Sequence, residues 1–282
     1  MNRKEQVEKA KRLLELHQVP QLLVLPNVWD PLGARLLQGL GYPAVATASA
    51  SVAYSLGYDD GQRISWDAMV EAVRRVASAV NLPVTADIEA GYAERPEDLA
   101  ENVRQILDAG AVGINLEDSR FDGDLLYSIP TQQERLRAVR AMADEEGVPL
   151  VINARTDVYL RETVDSPENR LDRAIDRARA YLPAGADCFY PILLDDLDAL
   201  KAIRKATGAL INVYASASAP SMRALEDAGM ARLSLGPGLL KVSLTAMKQV
   251  AEALQKDGSY RQFTDEVMSS EEVEHFVRKE RM

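Results

Sequence analysis

Cysteine and histidine are both scarce in this sequence of 282 residues. Cys188 is the single cysteine, so no disulfide can form within the chain, which fits a reducing cytoplasm. The two histidines, His17 and His275, fall near the two ends of the sequence, where we expect them on the surface of terminal helices. The central part of the chain therefore lacks a Ser/His/Asp or Cys/His catalytic group. A general base must come from a carboxylate, a tyrosine or a metal-bound water.

Long apolar runs and an excess of basic residues are also missing. No stretch of about 18 apolar residues occurs, which argues against a membrane span, and residues 1–17 lack the apolar segment of a signal peptide. The 33 basic and 43 acidic residues give a formal net charge of −10, and no basic stripe is interleaved with aromatic residues. We therefore expect a cytoplasmic protein without a nucleic-acid or membrane partner. An anionic substrate would need a local arginine or a metal ion to overcome this net charge.

Short apolar runs alternate with longer helical patterns along the chain. Eight runs are predicted as strands, at residues 22–26, 44–48, 84–88, 112–116, 150–154, 187–191, 210–213 and 232–235. The predicted helices between them are residues 30–40, 66–80, 96–109, 131–146, 168–182, 195–207 and 219–228. Eight strands, each followed by a helix, predict an α/β fold of the (β/α)₈ TIM-barrel type. A doubly wound sheet is the alternative, although no Gly-x-Gly-x-x-Gly follows the first strand.

Residue types mark several helix boundaries and one domain boundary. Ser65 can cap the helix that begins at residue 66, Pro96 suits a first turn, and Thr131 with Glu134 predicts a capping box. We expect residues 1–240 to form the barrel. A long helix from about residue 239 to 256 leads to a polar tail, so residues 241–282 are predicted as an extra C-terminal helical arm that packs on a neighbour or frays.

Two acidic signatures each close a predicted strand, and they lie close together in the sequence. Asp87 and Glu89 end the third strand, and Glu117 ends the fourth. Side chains alternate along a strand, so Asp87 and Glu89 share a face and can point with Glu117 into one space. Buried carboxylates need a partner, and a hard divalent cation takes oxygen ligands. The pattern predicts an Mg²⁺ site; the alternative is that the carboxylates cap helices or pair with arginines.

Basic and small polar residues also fall at strand ends. Arg155 and Arg232 are the only basic residues there, and the planar guanidinium of Arg155 suits a bidentate grip on a substrate carboxylate. An ion pair with Glu117 or Asp87 is an equally good interpretation. The small polar tract at residues 46–53 follows the second strand and can form an anion-binding nest of backbone amides, or a tight loop whose hydroxyls satisfy its own backbone.

Four motifs together resemble the isocitrate lyase/phosphoenolpyruvate mutase superfamily. They are Gly-Tyr-Asp-Asp-Gly at residues 57–61, Asp-Ile-Glu-Ala-Gly-Tyr at 87–92, Leu-Glu-Asp at 116–118 and Ala-Arg-Thr-Asp at 154–157. The resemblance extends from about residue 22 to 241. It implies a modified barrel that binds Mg²⁺ and a 2-oxo acid, and that forms or cleaves a C–C or P–C bond next to an oxaloacetate- or pyruvate-like unit.

The resemblance also implies roles for particular residues. Mg²⁺ and its waters would be held by four carboxylates, Asp60, Asp87, Glu89 and Glu117, with Asp87 in direct contact. Arg155 would grip the substrate carboxylate, and Ser49 and Ala50 would offer it backbone amides. The last barrel helix is commonly exchanged between subunits in the superfamily, so a homo-oligomer, a dimer or a tetramer, is expected.

The sequence departs from the superfamily pattern in the loop at residues 119–130. Lyases of the superfamily carry Lys-Lys/Arg-Cys-Gly-His there, and the mutase carries Lys-x-Asn, whereas this loop has no cysteine, histidine or lysine. Glu89 replaces a more usual aspartate, and Ile192 stands where the lyases have a glutamate. The chain therefore looks like a phosphonomutase-like branch without the lyase cysteine loop.

Taken together with the residues, the resemblance implies an Mg²⁺-dependent lyase or decarboxylase that acts on a small anionic 2-oxo (di)carboxylic acid through an enolate. Further candidates for proton transfer or for closing the site are Tyr190, Tyr214 and Arg120, and Asn212 is a further candidate for substrate binding. One alternative is a phosphonopyruvate-type hydrolase or phosphomutase. Another is a metal-dependent 2-oxo-acid binding protein without turnover.

Overall fold

Parallel strands and helices alternate along the chain in the computed structural model, which describes residues 2–18, 20–120, 125–161, 169–261 and 267–278. Every predicted strand is found. The strands are β1 (Leu23–Leu25), β2 (Asn27–Val28), β3 (Val45–Thr47), β4 (Val84–Asp87), β5 (Gly113–Glu117), β6 (Val151–Thr156), β7 (Cys188–Pro191), β8 (Asn212–Tyr214) and β9 (Arg232–Ser234). The predicted first strand is divided at Pro26, which has no N–H to donate to a ladder, and the pairing partner changes there.

The strands form a nearly closed barrel. β2 to β7 pair in chain order in one sheet, and β1, β9 and β8 form a second sheet in which β9 lies between the other two. A parallel bridge between Phe189 and Ile211 joins β7 to β8, and Pro26 joins β1 to β2. Because the last strand pairs with the first, the TIM-type barrel is confirmed and the doubly wound sheet is wrong.

Eleven helices lie in the described part of the chain. They are α1 (Arg3–Gln18), α2 (Pro31–Gly39), α3 (Ser49–Ser55), α4 (Trp66–Ala79), α5 (Pro96–Asp108), α6 (Ile129–Glu145), α7 (Arg170–Tyr181), α8 (Leu197–Thr207), α9 (Met222–Asp227), α10 (Gly238–Asp257) and α11 (Ser270–Val277). All seven predicted barrel helices are found, although the predicted start of α7 at residue 168 lies outside the described residues. α3 was not predicted, because its small residues show no helical periodicity. In the described part of the chain, no helix has the length and apolarity to cross a bilayer.

Two of the three predicted helix starts are confirmed, and one is wrong. The Ser65 hydroxyl accepts from the backbone N–H of Ala68 at 3.2 Å, and Pro96 lies in the first turn of α5. α6 does not begin with a cap at Thr131. Its N-cap is Ser128, whose hydroxyl accepts from the Thr131 N–H at 3.2 Å. Pro130 has no N–H to lose, so it favours a helix start just before it.

The N-terminal helix α1 covers the amino ends of β5 and β6. The Gln6 amide donates to the carbonyl of Ala111, which precedes β5, and Leu13 is fully buried. The expectation that His17 lies at the surface is wrong, because it is 2% exposed at the end of this helix. α1 is part of the barrel floor rather than a free end. His275, on α11, is exposed as expected.

The C-terminal arm lies largely outside the core. Only Leu240 of α10 is buried. Exposed apolar side chains on the same helix are Val242, Leu244, Met247 and Leu254. The following helix α11 returns to pack against α2, where the Phe276 ring lies against Gly39. A domain boundary at residue 240 and the exchange of the arm between subunits stay predictions.

Candidate active site

A cavity of about 270 Å³ opens at the carboxyl ends of the strands. Seven of the predicted site residues line it, namely Ser49, Ala50, Asp60, Asp87, Arg155, Tyr190 and Tyr214. Four others are not among the lining residues: Glu89, Glu117, Arg120 and Asn212. The volume suits a small molecule, and the carboxyl ends of the strands are where barrel enzymes carry their active sites.

Asp87, the last residue of β4, is held by three donors. The Ser49 backbone N–H and hydroxyl both donate to its Oδ2, at 3.0 and 2.7 Å, and the Asn115 amide donates to its Oδ1 at 2.7 Å. The tract at residues 46–53 is thus a strand end followed by the N-terminus of α3. Its first amide binds a carboxylate of the protein itself, which fixes the orientation of Asp87 at the cavity.

A row of amides continues from Asp87 across the barrel wall. Asp87, Asn115 and Asn153 stand at matching positions on three adjacent strands. The Asn153 Nδ2 donates to the Asn115 Oδ1 at 2.9 Å, and Asn115 in turn donates to Asp87. Every donor in this row therefore points toward the carboxylate, and a negative charge on Asp87 is stabilised.

Glu89 lies just beyond Asp87 in a strained turn. Its φ is 54°, a left-handed conformation that is uncommon for a residue with a side chain. Its Oε2 accepts from the Gln62 N–H at 2.5 Å, and its Oε1 accepts from the Tyr92 hydroxyl at 3.1 Å. Burial, together with the charges of Asp60 and Asp87, raises the pKa of Glu89 to about 7. Glu89 thus ties the loop that carries Asp60 to the end of β4.

Arg155, on β6, lies between two carboxylates. Its Nη1 is 3.0 Å from Glu117 Oε2, and its Nε and Nη2 donate to the two oxygens of Asp157 at 2.6 and 3.0 Å. Burial opposes the charged form, but Asp157 and Glu117 raise the pKa of Arg155 well above its usual value. The ion-pair interpretation of Arg155 is therefore observed, and its side chain still lines the cavity.

The oxygen donors at the cavity fit a hard cation bound largely through water. In the part of the chain that the structure describes, no three acidic, histidine or cysteine side chains converge closely enough to hold a metal ion by themselves. Asp60 and Asp87 face the same space, and burial followed by the charge of Asp87 raises the pKa of Asp60. Mg²⁺ keeps several waters and takes few protein ligands. Concentrated negative charge of this kind is what such a cation would offset.

A buried network beneath the site was not predicted. Arg177 donates to Asp118 Oδ2 at 2.9 Å, and the Tyr181 hydroxyl donates to the same oxygen at 2.8 Å. The backbone N–H of Asp157 donates to Asp118 Oδ1 at 3.0 Å, which joins the network to Arg155. The sequence did carry a signal for this buried network, because Arg177 lies on the same face of α7 as Ala174 and Ala178.

The described residues of the loop after β5 do not line the cavity. The backbone N–H of Arg120 donates to the carbonyl of Leu125 at 2.9 Å, and Ser119 forms a bridge with Leu126. Arg120 is not a lining residue of the cavity. Residues 121–124 of this loop lie outside the described residues.

Comparisons with known proteins identify one family. The sequence pattern of a family described as Phosphoenolpyruvate phosphomutase matches residues 13–255. The 2-methylisocitrate lyase of Escherichia coli K12 is 27% identical over 250 residues, which cover 85% of this chain and 82% of that protein.

Two structures from Burkholderia cenocepacia J2315 are also similar. One, described only as a lyase/mutase, is 32% identical with a TM-score of 0.89 and covers 97% of both chains. The other, described as a phosphonomutase, is 38% identical with a TM-score of 0.82 and covers 90% of this chain and 100% of the other.

Proposed function

The chain belongs to the phosphoenolpyruvate phosphomutase family of the isocitrate lyase/phosphoenolpyruvate mutase superfamily, and on this basis we propose an Mg²⁺-dependent carbon–carbon lyase or decarboxylase. Its substrate is a small 2-oxo (di)carboxylic acid, cleaved next to the 2-oxo group. The observation that carries this proposal is Asp87, fixed by three donors at the cavity with Asp60 beside it.

The residues around the cavity have separate roles in binding and in proton transfer. Asp87 and Asp60 would hold Mg²⁺, with Glu89 and Glu117 as the other two carboxylates of the group. When bound, the cation supplies positive charge that stabilises an enolate as the adjacent bond breaks. Ser49, Ala50 and Tyr214 line the space that the 2-oxo acid occupies.

Tyr190 is our candidate for a proton donor at the same cavity. It lies on β7 next to Arg155 on β6 and lines the cavity. Burial raises the pKa of Tyr190, so its hydroxyl keeps its proton and acts as a hydrogen-bond donor at neutral pH. We assign it to hold or deliver a proton at the developing carbanion.

A phosphonopyruvate-type hydrolase or phosphomutase is the second candidate. The 38% identity to the structure described as a phosphonomutase favours it. The loop at residues 119–130 speaks against it, because its sequence lacks the Lys-x-Asn pattern of the mutase. A metal-dependent 2-oxo-acid binding protein without turnover is the candidate from outside the enzymes.

The test is turnover of a panel of 2-oxo acids by the purified protein with Mg²⁺. Release of pyruvate from oxaloacetate that EDTA abolishes supports the lyase. Release of phosphate or formation of phosphoenolpyruvate from phosphonopyruvate supports the second candidate. Thermal stabilisation by oxaloacetate without any product supports the binding protein.

Replacing Asp87 tests the metal site directly. Asp87→Ala removes the carboxylate that we assign to Mg²⁺, so turnover should fall by about 100-fold or more, and the Mg²⁺-dependent thermal stabilisation should be lost. Asp144→Ala is the matched control, since Asp144 is exposed on α6, away from the cavity. Full turnover by Asp87→Ala would show that Mg²⁺ is held elsewhere.

We also propose that the chain works as a homo-oligomer in the cytoplasm. α10 begins at the cavity, where Lys241 is a lining residue, and then leaves its own barrel with its apolar side chains exposed. A second copy that covers these side chains would remove them from water. The negative net charge and the single buried cysteine support a cytoplasmic setting.

A further inference from the structure

Three residues beside the cavity share an uncommon backbone conformation. Gln62, Glu89 and Tyr92 have φ values of 57°, 54° and 56°. In the described part of the chain, Leu193 is the only other residue with a side chain that has a positive φ. The left-handed region is unfavourable for a residue that carries a Cβ atom, so the surroundings must hold each of these conformations in place.

Hydrogen bonds join the three residues Gln62, Glu89 and Tyr92 into a closed ring, which we call the clasp. The backbone N–H of Gln62 donates to Glu89 Oε2 at 2.5 Å, and the Gln62 Oε1 accepts from the backbone N–H of Tyr92 at 2.7 Å. The Tyr92 hydroxyl closes the ring by donating to Glu89 Oε1 at 3.1 Å. Gln62 thus binds the segment after β4 with both its backbone and its side chain.

The side of the clasp that follows β4 is fixed by the body of the barrel. Glu89 itself is buried. Arg135 on α6 is fully buried and donates to the carbonyl of Ala90. Asn102 on α5 donates to the carbonyl of Gly91 at 2.9 Å. Because two helices hold its backbone, this segment can serve as an anchor.

The other side of the clasp is a surface loop. Residues 54–59 are all exposed, and Asp60 lies two residues before Gln62. Within the described part of the chain, the hydrogen bonds that join residues 59–63 to another segment are those of Gln62. The Asp60 carboxylate accepts from the backbone N–H of Gly61. A displacement of the Gln62 backbone would therefore be passed on to the Asp60 carboxylate.

The clasp connects the segments that carry two carboxylates of like charge. Asp87 lies two residues before Glu89, and Asp60 and Asp87 both line the cavity. Burial, followed by the charge of Asp87, raises the pKa of Asp60, so the two groups are close enough to interact. Repulsion between like charges favours a loop position farther from Asp87. A cation binds more tightly to ligands that are already held in place.

We propose that Gln62 and Tyr92 are positioning residues that hold Asp60 close to Asp87 and thereby set the affinity of the site for Mg²⁺. Neither residue lines the cavity, so both act through Glu89 and the loop. This inference rests on the proposed function, because it takes Asp60 and Asp87 as the carboxylates that hold Mg²⁺. It adds the contacts that keep the two carboxylates together before the cation binds.

The test separates Mg²⁺ affinity from stability with two replacements of one residue. Gln62→Ala and Gln62→Gly both remove the acceptor for the Tyr92 N–H, but only glycine adopts the left-handed conformation without strain. The Mg²⁺ dissociation constant is obtained from thermal unfolding over a series of MgCl₂ concentrations, and stability from urea unfolding without Mg²⁺. Both variants should bind Mg²⁺ about 10-fold more weakly than the wild type. Gln62→Gly should nevertheless unfold at a higher urea concentration than Gln62→Ala.

A third variant and a matched control complete the design. Tyr92→Phe keeps the ring beside Trp66 and removes only the donor to Glu89, so Mg²⁺ binding should weaken by about threefold or more. It decides the matter if the Gln62 variants do not fold. Gln133→Ala removes a similar glutamine hydrogen bond, to the Ala180 carbonyl at 3.0 Å, away from the cavity. This control should lower stability in urea and leave the Mg²⁺ dissociation constant unchanged.

The outcomes separate this inference from the proposed function. An unchanged Mg²⁺ dissociation constant in Gln62→Ala or in Tyr92→Phe overturns the positioning role of that residue and leaves the Mg²⁺ site standing. Tighter Mg²⁺ binding by Gln62→Gly than by Gln62→Ala would show that affinity merely follows stability, and it also overturns the role. A wild type whose thermal unfolding does not respond to Mg²⁺ overturns the proposed metal site, and the positioning role with it.

Discussion

The burial of His17 makes the stability of the fold depend on pH. Its Nδ1 donates to the Leu13 carbonyl at 2.7 Å, one turn earlier in α1, and the side chain is 2% exposed. Burial first, and then the charge of Arg232, lowers its pKa from 6.5 to about 4. The perturbation that we consider is His17→Asn, because the asparagine amide can keep the bond to Leu13 but does not titrate.

The sign and size of the effect follow from linkage. Between the two pKa values the unfolded chain binds the proton and the folded chain does not, so stability falls as the pH falls. The contribution of His17 is complete above its unfolded pKa of 6.5 and decreases below it. With about 1.36 kcal/mol for each pKa unit, the loss is about 2 kcal/mol at pH 5 and about 3 kcal/mol at pH 4.

The measurement is a difference between two proteins. Glu89 titrates over an overlapping range with the opposite sign, because its folded pKa is raised to about 7. The wild-type profile alone therefore mixes the two groups, but Glu89 is common to both proteins and cancels in the difference. Urea unfolding followed by circular dichroism from pH 7.5 to 4 should show wild type losing about 3 kcal/mol more than His17→Asn. Exposed His275→Asn is the control, and its profile should follow the wild type. Parallel profiles for wild type and His17→Asn would refute the reasoning.

Two further predictions concern the buried network and the C-terminal arm. Arg177→Met leaves the fully buried Asp118 without its cation, so the free energy of unfolding should fall by about 3–5 kcal/mol in urea; a loss below about 1 kcal/mol would contradict the pairing. Val242→Asp with Met247→Asp places two charges on the exposed apolar face of α10, so sedimentation should show the wild-type oligomer converted to monomer. A wild type that sediments as a monomer would contradict the proposed assembly.

The strand positions were predictable because each barrel strand is a short apolar run bounded by helix signals. The ends of α5 and α9 were equally plain, because Gly110 and Gly229 directly follow the C-cap residues of these helices and have positive φ values. The sequence could not show where some local segments pack in the fold. Nothing in residues 1–17 distinguishes a floor helix from a free end, so His17 was misplaced. The short helix α3 depends on Asp87 binding its first amide, which is a contact across 38 residues.

The types of residue that line the cavity were predictable from the sequence, but their pairing was not. Alternation along β4 correctly placed Asp87 at the cavity, whereas the left-handed φ of Glu89 breaks the alternation and turns that carboxylate toward Gln62 and Tyr92. The sequence left two equal interpretations of Arg155, a grip on a substrate carboxylate and an ion pair within the protein. The ion pair with Glu117 depends on the register of β5 and β6, which the sequence does not show.

The row of amides behind Asp87 limits which substitutions this site can accept during evolution. Asn153 and Asn115 must both present their donors in the same direction, and each orientation is set by the neighbouring residue in the row. Substituting one member would reverse or interrupt the row, so a single substitution is penalised even where a double one is tolerated. We expect sequences related to this chain to keep Asp87, Asn115 and Asn153 together or to replace all three together, although the residues lie on three different strands.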